Sequence, residues 1–230
     1  MKTIGLIGGL SWESSLEYYR LLNEGVKQKL GGLHSAQCLM YSVDFGPIEE
    51  LMRQGNWQQI DKLLVEAALH LKRGGADFIL IGSNTMHKSF DSIAEKTGMS
   101  LIHIADAAAR EIKDRKIKKV GLLGTKFAME GDFYRNRLKE EHGIEVIIPE
   151  ESAREMINTI IFQELCAGIL SQDSKEKFLA IINRLLLQGA EGIVLGCTEI
   201  PLLIKQADVE APVFDTMGLH AAAAVEYAIG

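Results

Sequence analysis

Four prolines, three cysteines and two tryptophans in 230 residues exclude several kinds of protein at once. So few prolines leave no room for a polyproline scaffold or a proline-rich linker. Cys38, Cys166 and Cys197 are widely spaced, so neither a disulfide framework nor a zinc site is expected. Sparse cysteine also fits the reducing cytoplasm, which is the expected compartment. No stretch approaches the roughly 18 apolar residues of a membrane span. The apolar opening is brief and runs into a Gly-Gly turn, so residues 1–30 do not read as a signal peptide. Charge of one sign is not concentrated either. The 25 bases and 31 acids are scattered to a net −6. The densest basic cluster, Lys113–Lys119, reads as the solvated end of a helix, and nothing argues for a nucleic-acid partner.

What remains is an ordinary globular composition, 47% hydrophobic and 24% charged, in a length between one and two average domains. Apolar runs at Ile4–Ile7, Gln37–Val43, Phe78–Ile81, Leu101–Ile104, Val120–Leu123, Val146–Ile148, Gly192–Leu195 and Val213–Phe214 predict strands. Helical periodicity fills Ser14–Leu30, Ile60–Arg73, Ala105–Arg115, Asp132–Glu141, Ala153–Ala167 and Ser174–Gln188. Alternation of this kind predicts an α/β fold with mostly parallel sheet.

The chain also repeats itself. Lys2–Gly8 (KTIGLIG) returns as Lys118–Gly124 (KKVGLLG), 116 residues later. Gly75–Ser83 (GADFILIGS) returns as Gly189–Cys197 (GAEGIVLGC), 114 residues later. A weaker echo ends Leu101–Asp106 and Val213–Asp215 in Asp before Ala-rich segments. Two similar α/β halves are expected. Ligands of open parallel sheets sit beyond the carboxyl ends of the strands, where both repeated Gly-x-polar turns fall. Symmetry alone therefore pairs Ser83 with Cys197, on opposite walls of one cleft.

These two turns carry a resemblance. Ser83-Asn84-Thr85-Met86-His87 resembles the first signature of the aspartate/glutamate racemase family, normally Cys-Asn-Thr. Gly196-Cys197-Thr198-Glu199-Ile200 resembles the second, Gly-Cys-Thr-Glu. The opening Ile4–Ser14, Ser42–Phe45 and Val213–Thr216 fit the same family, most closely its broad-specificity branch. The resemblance implies two flavodoxin-like three-layer domains related by a pseudo-twofold axis, with the active site in the cleft between them. The expected domains are 1–98 plus 216–230, the last helix returning to the first domain, and 99–215. It further implies a homodimer, a small amino-acid substrate, and racemisation without pyridoxal phosphate or metal. Ser83 and Cys197 would be the catalytic pair. Leu10, Met52, Asn84, Thr85, Thr125, Thr198 and Glu199 would bind substrate. Family position assigns Cys197 to proton abstraction from the L-substrate.

The chemistry suits these residue types. Racemisation removes a proton from one face of Cα and returns one to the other, so two acid/base groups must flank the carbon. A thiol serves because its pKa, ordinarily near ~8.5, is easily tuned. Backbone N–H groups and hydroxyls past the strand ends, at Asn84, Thr85, Thr125 and Thr198, would hold the carboxylate and its developing charge. The departure from the pattern is Ser83. A hydroxyl is a weak base without an assisting group but a competent donor to a carbanion; an inactivated or one-faced enzyme is the competing reading. Glu199 either accepts the Cys197 proton or satisfies helix N-terminal donors. His87 either orients Ser83 or is structural or on the surface, and His103 reads as a hydrogen-bonded core residue. Cys38 and Cys166 read as packing residues, and Trp12 either lines the cleft or packs. Gly5-x-x-Gly8-Gly9 matches neither nucleotide-binding signature.

In aspartate-specific relatives an Arg and a Lys hold the distal carboxylate; the corresponding positions here are Ile48 and Glu164, with Arg53 nearby. An aspartate-specific enzyme is therefore not expected. Alternatives within the superfamily are a one-cysteine decarboxylase or cis-trans isomerase, and a catalytically silent amino-acid-binding homologue.

Overall fold

A computed structural model describes all residues, Met1–Gly230. The chain forms two compact units, Met1–His103 with His220–Gly230, and Ile104–Leu219.

The first unit carries a parallel sheet of β1 (Ile4–Gly8), β2 (Cys38–Ser42), β3 (Phe78–Ile81) and β4 (Ser100–Leu101), in the order β2-β1-β3-β4. Around it lie α1 (Trp12–Leu30), α2 (Phe45–Arg53), α3 (Trp57–Arg73) and α4 (Phe90–Thr97). The second unit repeats the plan with β5 (Lys119–Gly124), β6 (Glu145–Ile147), β7 (Gly192–Gly196) and β8 (Val213–Asp215), in the order β6-β5-β7-β8. Its helices are α5 (Ile104–Asp114), α6 (Lys126–Glu130), α7 (Asp132–Asn136), α8 (Glu151–Gln163), α9 (Gln172–Leu187) and α10 (Ile200–Leu203). The chain ends in α11 (Thr216–Ile229).

The sequence repeat is a structural repeat. Ile4 pairs with Phe78, and Val120 with Gly192, so the two registers preserve the displacements of 116 and 114 residues. Gly75 and Gly189 each turn the chain into a strand with φ of 94°, a conformation that favours glycine. Each is followed two residues on by an acid that accepts from the backbone of the neighbouring strand's start. Asp77 accepts the Thr3 N–H at 2.6 Å, and Glu191 accepts the Lys119 N–H at 3.0 Å. Opposite faces of each first strand are covered by helices, because successive strand residues point to opposite sides. Gly5 faces Leu71 of α3 while Gly8 faces Ser15 of α1; Gly121 faces Leu185 of α9 while Gly124 faces Ala128 of α6. Each half is thus a three-layer α/β unit with its core between sheet and helices. In the second half Phe178, Phe214, Tyr134 and Leu122 are fully buried.

Three expected elements change. The apolar run 101–104 supplies only two strand residues; Ile102 N–H makes one last bond to Ile79 O at 3.3 Å, and Ile104 already begins α5. The expected helix 132–141 is α-helical only to Asn136 and continues as a π-helical turn, Arg137–Glu141. Both Arg137 and His142, at the ends of that turn, reach Asp106, at 2.7 and 2.9 Å. The helix expected to reach Ala167 stops at Gln163, followed by a 3-10 turn that Gly168 ends in a left-handed conformation (φ 73°). Helices α2 and α4 are short amphipathic helices outside the expected set; caps mark their ends, with Asp44 accepting from Gly46 N–H at 3.2 Å and left-handed Gly98 closing α4.

From His220 onward α11 belongs to the first unit. A carbonyl only accepts, so His220 Nε2 carries the proton it donates to Ile102 O at 2.9 Å, and Nδ1 accepts from Tyr18 Oη at 2.8 Å.

Candidate active site

The carboxyl end of β1 is shaped by backbone constraints. Gly9 has φ 77°, and a Cβ there would lie 2.1 Å from Val43 O, so only glycine fits. Its N–H is taken by Ser15 Oγ at 2.8 Å, and Ser11 Oγ caps α1 by accepting from Ser14 N–H. The loop delivers Leu10 buried and Trp12 exposed. Trp12 therefore neither packs in the core nor is enclosed.

At the end of β3 the chain turns through Ser83 into the 3-10 segment Thr85–Ser89. Ser83 is partly exposed, while Asn84 and Thr85 are buried. His87 is buried rather than on the surface, and its Nδ1–H donates to Ser83 O at 2.7 Å. Burial, then the neighbouring His103 and His220, hold the His87 imidazole well below its usual pKa range, so it is neutral. His103 is also buried, its ring centroid 4.6 Å from that of His87. Met52 lies buried on α2, beside the equally buried Ile48.

At the end of β7 three expected residues form one cluster. Cys197 Sγ–H donates to Glu199 Oε2 at 2.9 Å, and Thr198 Oγ1–H donates to the same oxygen at 2.9 Å. All three are buried. Burial pushes the Cys197 thiol well above its ordinary pKa, and the Glu199 carboxylate beside it pushes further in the same direction. Cys197 therefore rests as a neutral thiol, hydrogen-bonded to Glu199. Glu199 makes no side-chain bond to the N-terminal donors of α10, which removes the capping alternative. Thr125, at the equivalent strand end of β5, uses its hydroxyl oxygen to cap α6, accepting from Ala128 N–H at 3.2 Å.

Cys166 adds to the upward push on the Cys197 thiol. Cys38 is half-buried on the edge strand β2, and Cys166 packs against the second unit's core. Glu164 accepts from Ser174 Oγ at 2.6 Å, and exposed Arg53 is paired with Glu49 and Glu50.

Residues 7–224 match the family model described as Asp/Glu/Hydantoin racemase. A crystal structure from Yersinia pestis, of a protein provisionally described as an Asp/Glu racemase, is 52% identical with a TM-score of 0.93 over all of both chains. An aspartate racemase homologue from Pyrococcus horikoshii is 39% identical with a TM-score of 0.86, again over all of both chains. The broad specificity amino-acid racemase RacX of Bacillus subtilis is 26% identical over 161 residues, 69% of this chain and 67% of that protein.

Proposed function

We propose, from the premise that the chain belongs to the Asp/Glu/Hydantoin racemase family, that it interconverts the enantiomers of free amino acids by two-base proton transfer at Cα, without a cofactor. The observation that carries this reading is the buried Cys197–Glu199 hydrogen bond. A buried thiol is a poor base while protonated. Handing its proton to Glu199 does not create a second charge in the low-dielectric interior; it moves an existing one from oxygen to sulfur. The cost of burial that raises the thiol pKa therefore falls largely outside this transfer.

The steps follow from that. Glu199 takes the Sγ proton, and the thiolate removes the Cα proton of the L-amino acid as the C–H electron pair passes to Cα. The Ser83 hydroxyl donates a proton to the opposite face, the resulting alkoxide regains one from water, and the hydroxide so formed takes the proton held on Glu199, which closes the cycle. Reversal runs the same path from the D-enantiomer. Both groups must address a single Cα from opposite faces. The buried polar groups at the strand ends, Asn84 and Thr85 in one unit and Thr125 and Thr198 in the other, are assigned to the substrate carboxylate and the carbanion.

Buried Leu10 and Met52 are assigned to the substrate side chain. With Ile48 apolar, Glu164 acidic and Arg53 already paired, nothing at these positions gives a distal carboxylate a charge-assisted grip. Broad rather than aspartate-restricted specificity follows. The test is chiral chromatography after incubation with a panel of L-amino acids. D-enantiomers appearing with the wild-type chain and not with Cys197→Ala support the reading. Full activity in folded Cys197→Ala, or decarboxylated products, would contradict it.

A further inference from the structure

Helices α8 and α9 of the second unit form an antiparallel hairpin, closed at one end and open at the other. At the closed end Ser174 Oγ–H donates to Glu164 Oε2 at 2.6 Å, beside the short 3-10 turn that joins the helices. At the open end the start of α8 faces the last turns of α9, and Arg184 Nη1–H donates to Glu150 Oε1 at 3.0 Å. A cavity of about 270 Å³ lies there. Pro149, Ala153, Ile181 and Leu185 give it an apolar wall, and Glu150 and Arg184 bring opposite charges to it. Leu187, which also lines it, is 88% exposed. The proposed racemisation uses none of these residues. Cys197 follows the carboxyl end of β7, whereas the cavity adjoins Gln188, ahead of that strand's amino end.

Size and charge together limit what fits. Clefts for drug-sized ligands run from about 300 to 1,000 Å³, so this cavity suits a molecule of amino-acid size and is too small for a nucleotide. The Arg184 and Glu150 side chains are 62% and 63% exposed, and a surface pair of that kind contributes little, so a ligand opens it at little cost. Glu150 stands at the N-terminal end of α8 and Arg184 in the last turn of α9, the helix ends that favour each charge once the pair is opened. An anion alone would meet the Glu150 carboxylate, and a cation alone the Arg184 guanidinium. A zwitterion with both charges on one carbon meets each with its opposite and replaces one ion pair by two. An apolar side chain on the same carbon then reaches the aliphatic wall, with Leu187 placed to cover it from the solvent side.

The geometry points to a second amino-acid site at this open end of the hairpin. An apolar free α-amino acid binds there, its carboxylate on Arg184, its ammonium on Glu150 and its side chain against Ala153, Ile181 and Leu185. Bound in this way it bridges α8 and α9 at the end opposite Glu164. The inference rests on the second unit alone and is independent of the racemase reading.

Methyl NMR on the full chain, labelled at isoleucine and leucine, tests it with α-methyl-leucine, which has no Cα proton and is therefore not racemised. Titration should shift the Ile181, Leu185 and Leu187 methyl signals saturably, and equally so in Cys197→Ala. Arg184→Ala and Glu150→Gln should each weaken binding about tenfold, as the loss of one charge-assisted bond requires. Their melting temperatures should stay unchanged, because both side chains are exposed. Isocaproate and isoamylamine, each lacking one of the two charges, should bind more weakly by a similar factor. Absence of saturable shifts at these methyls with millimolar ligand overturns the site, as does an affinity unchanged in Arg184→Ala. Isocaproate binding as tightly as α-methyl-leucine would mark a site for apolar monocarboxylates and overturn the amino-acid assignment.

Discussion

Cys197 Sγ lies 2.9 Å from the Glu199 carboxylate, inside a strand-end turn that excludes solvent from both. The thiol is raised first by burial and then by that carboxylate, so removing the negative charge must lower its pKa while burial still keeps it above the ordinary value. Glu199→Gln should therefore shift the pH dependence of Cys197 alkylation by iodoacetamide to lower pH. Its turnover should nonetheless fall, by about 10²-fold, as expected when a general acid/base is lost. Mass-spectrometric alkylation profiles in a Cys38→Ser, Cys166→Ser background give the first result, and steady-state kinetics the second. An unchanged alkylation midpoint would separate Glu199 from the thiol.

On the proposed specificity, substrate choice turns on positions 48, 53 and 164. Neutral or basic amino acids should match or exceed aspartate in kcat/KM, since Arg53 is committed to Glu49 and Glu50 and Glu164 repels a distal carboxylate. A substrate panel in which aspartate alone is racemised would refute this. Ile48→Arg, which places a cation on the buried face of α2, should lower stability before it improves aspartate binding.

Much of this was legible in the sequence because repetition is visible without structure. The displacement between Gly75-Ala76-Asp77 and Gly189-Ala190-Glu191 announced two strand-turn units, and both acids prove to cap the neighbouring strand. The strand-end positions of Ser83 and Cys197 followed from the same alignment. Other features depend on tertiary partners and left no local trace. Short helices such as Phe45–Arg53 span too few turns to stand out from their flanking sequence, and the π-helical turn coincides with the distant grip of Asp106 on Arg137 and His142. Glu199 was equally consistent with a helix cap until its carboxylate proved to accept from the thiol and from Thr198. His87 carried no signal separating a surface histidine from the buried one that holds Ser83 O.

The Asp106 cluster predicts an acid-sensitive contribution to stability. Burial favours the neutral carboxyl, but two hydrogen bonds from Arg137 and one from His142 outweigh it and leave Asp106 below its usual pKa. A depressed folded-state pKa stabilises above the unfolded-state value, near ~3.9, and that stability is lost as pH falls through the lower folded value. Arg137→Leu should cost about 1–2 kcal/mol at neutral pH, allowing for the partial exposure of the pair. The difference from wild type should shrink as the pH drops below about 4. Urea melts across pH 2.5–7 measure this; a pH-independent difference would contradict it.

Gly9→Ala should be far more damaging than Gly31→Ala, although both glycines have positive φ, 77° and 75°. At Gly31 nothing lies near the added Cβ, so strain alone applies, about 1 kcal/mol. At Gly9 the methyl would overlap the Val43 backbone, moving the loop that carries Leu10 and the start of α1. Thermal melts should show a drop several-fold larger for Gly9→Ala, with activity lost alongside.

On the proposed mechanism, one Cα proton is handled by a thiol on one face and a hydroxyl on the other. Equilibrium between enantiomers stays 1:1, so the asymmetry must appear in rates. The direct measurement is NMR-monitored exchange of the Cα proton with solvent deuterium under single-turnover conditions, begun separately from saturating L- and D-substrate. Initial exchange should be faster from the L-enantiomer, with a narrower gap in Ser83→Cys and suppressed racemisation in Ser83→Ala. Equal initial rates from both enantiomers in the wild-type protein, with Ser83→Ala fully active, would contradict it.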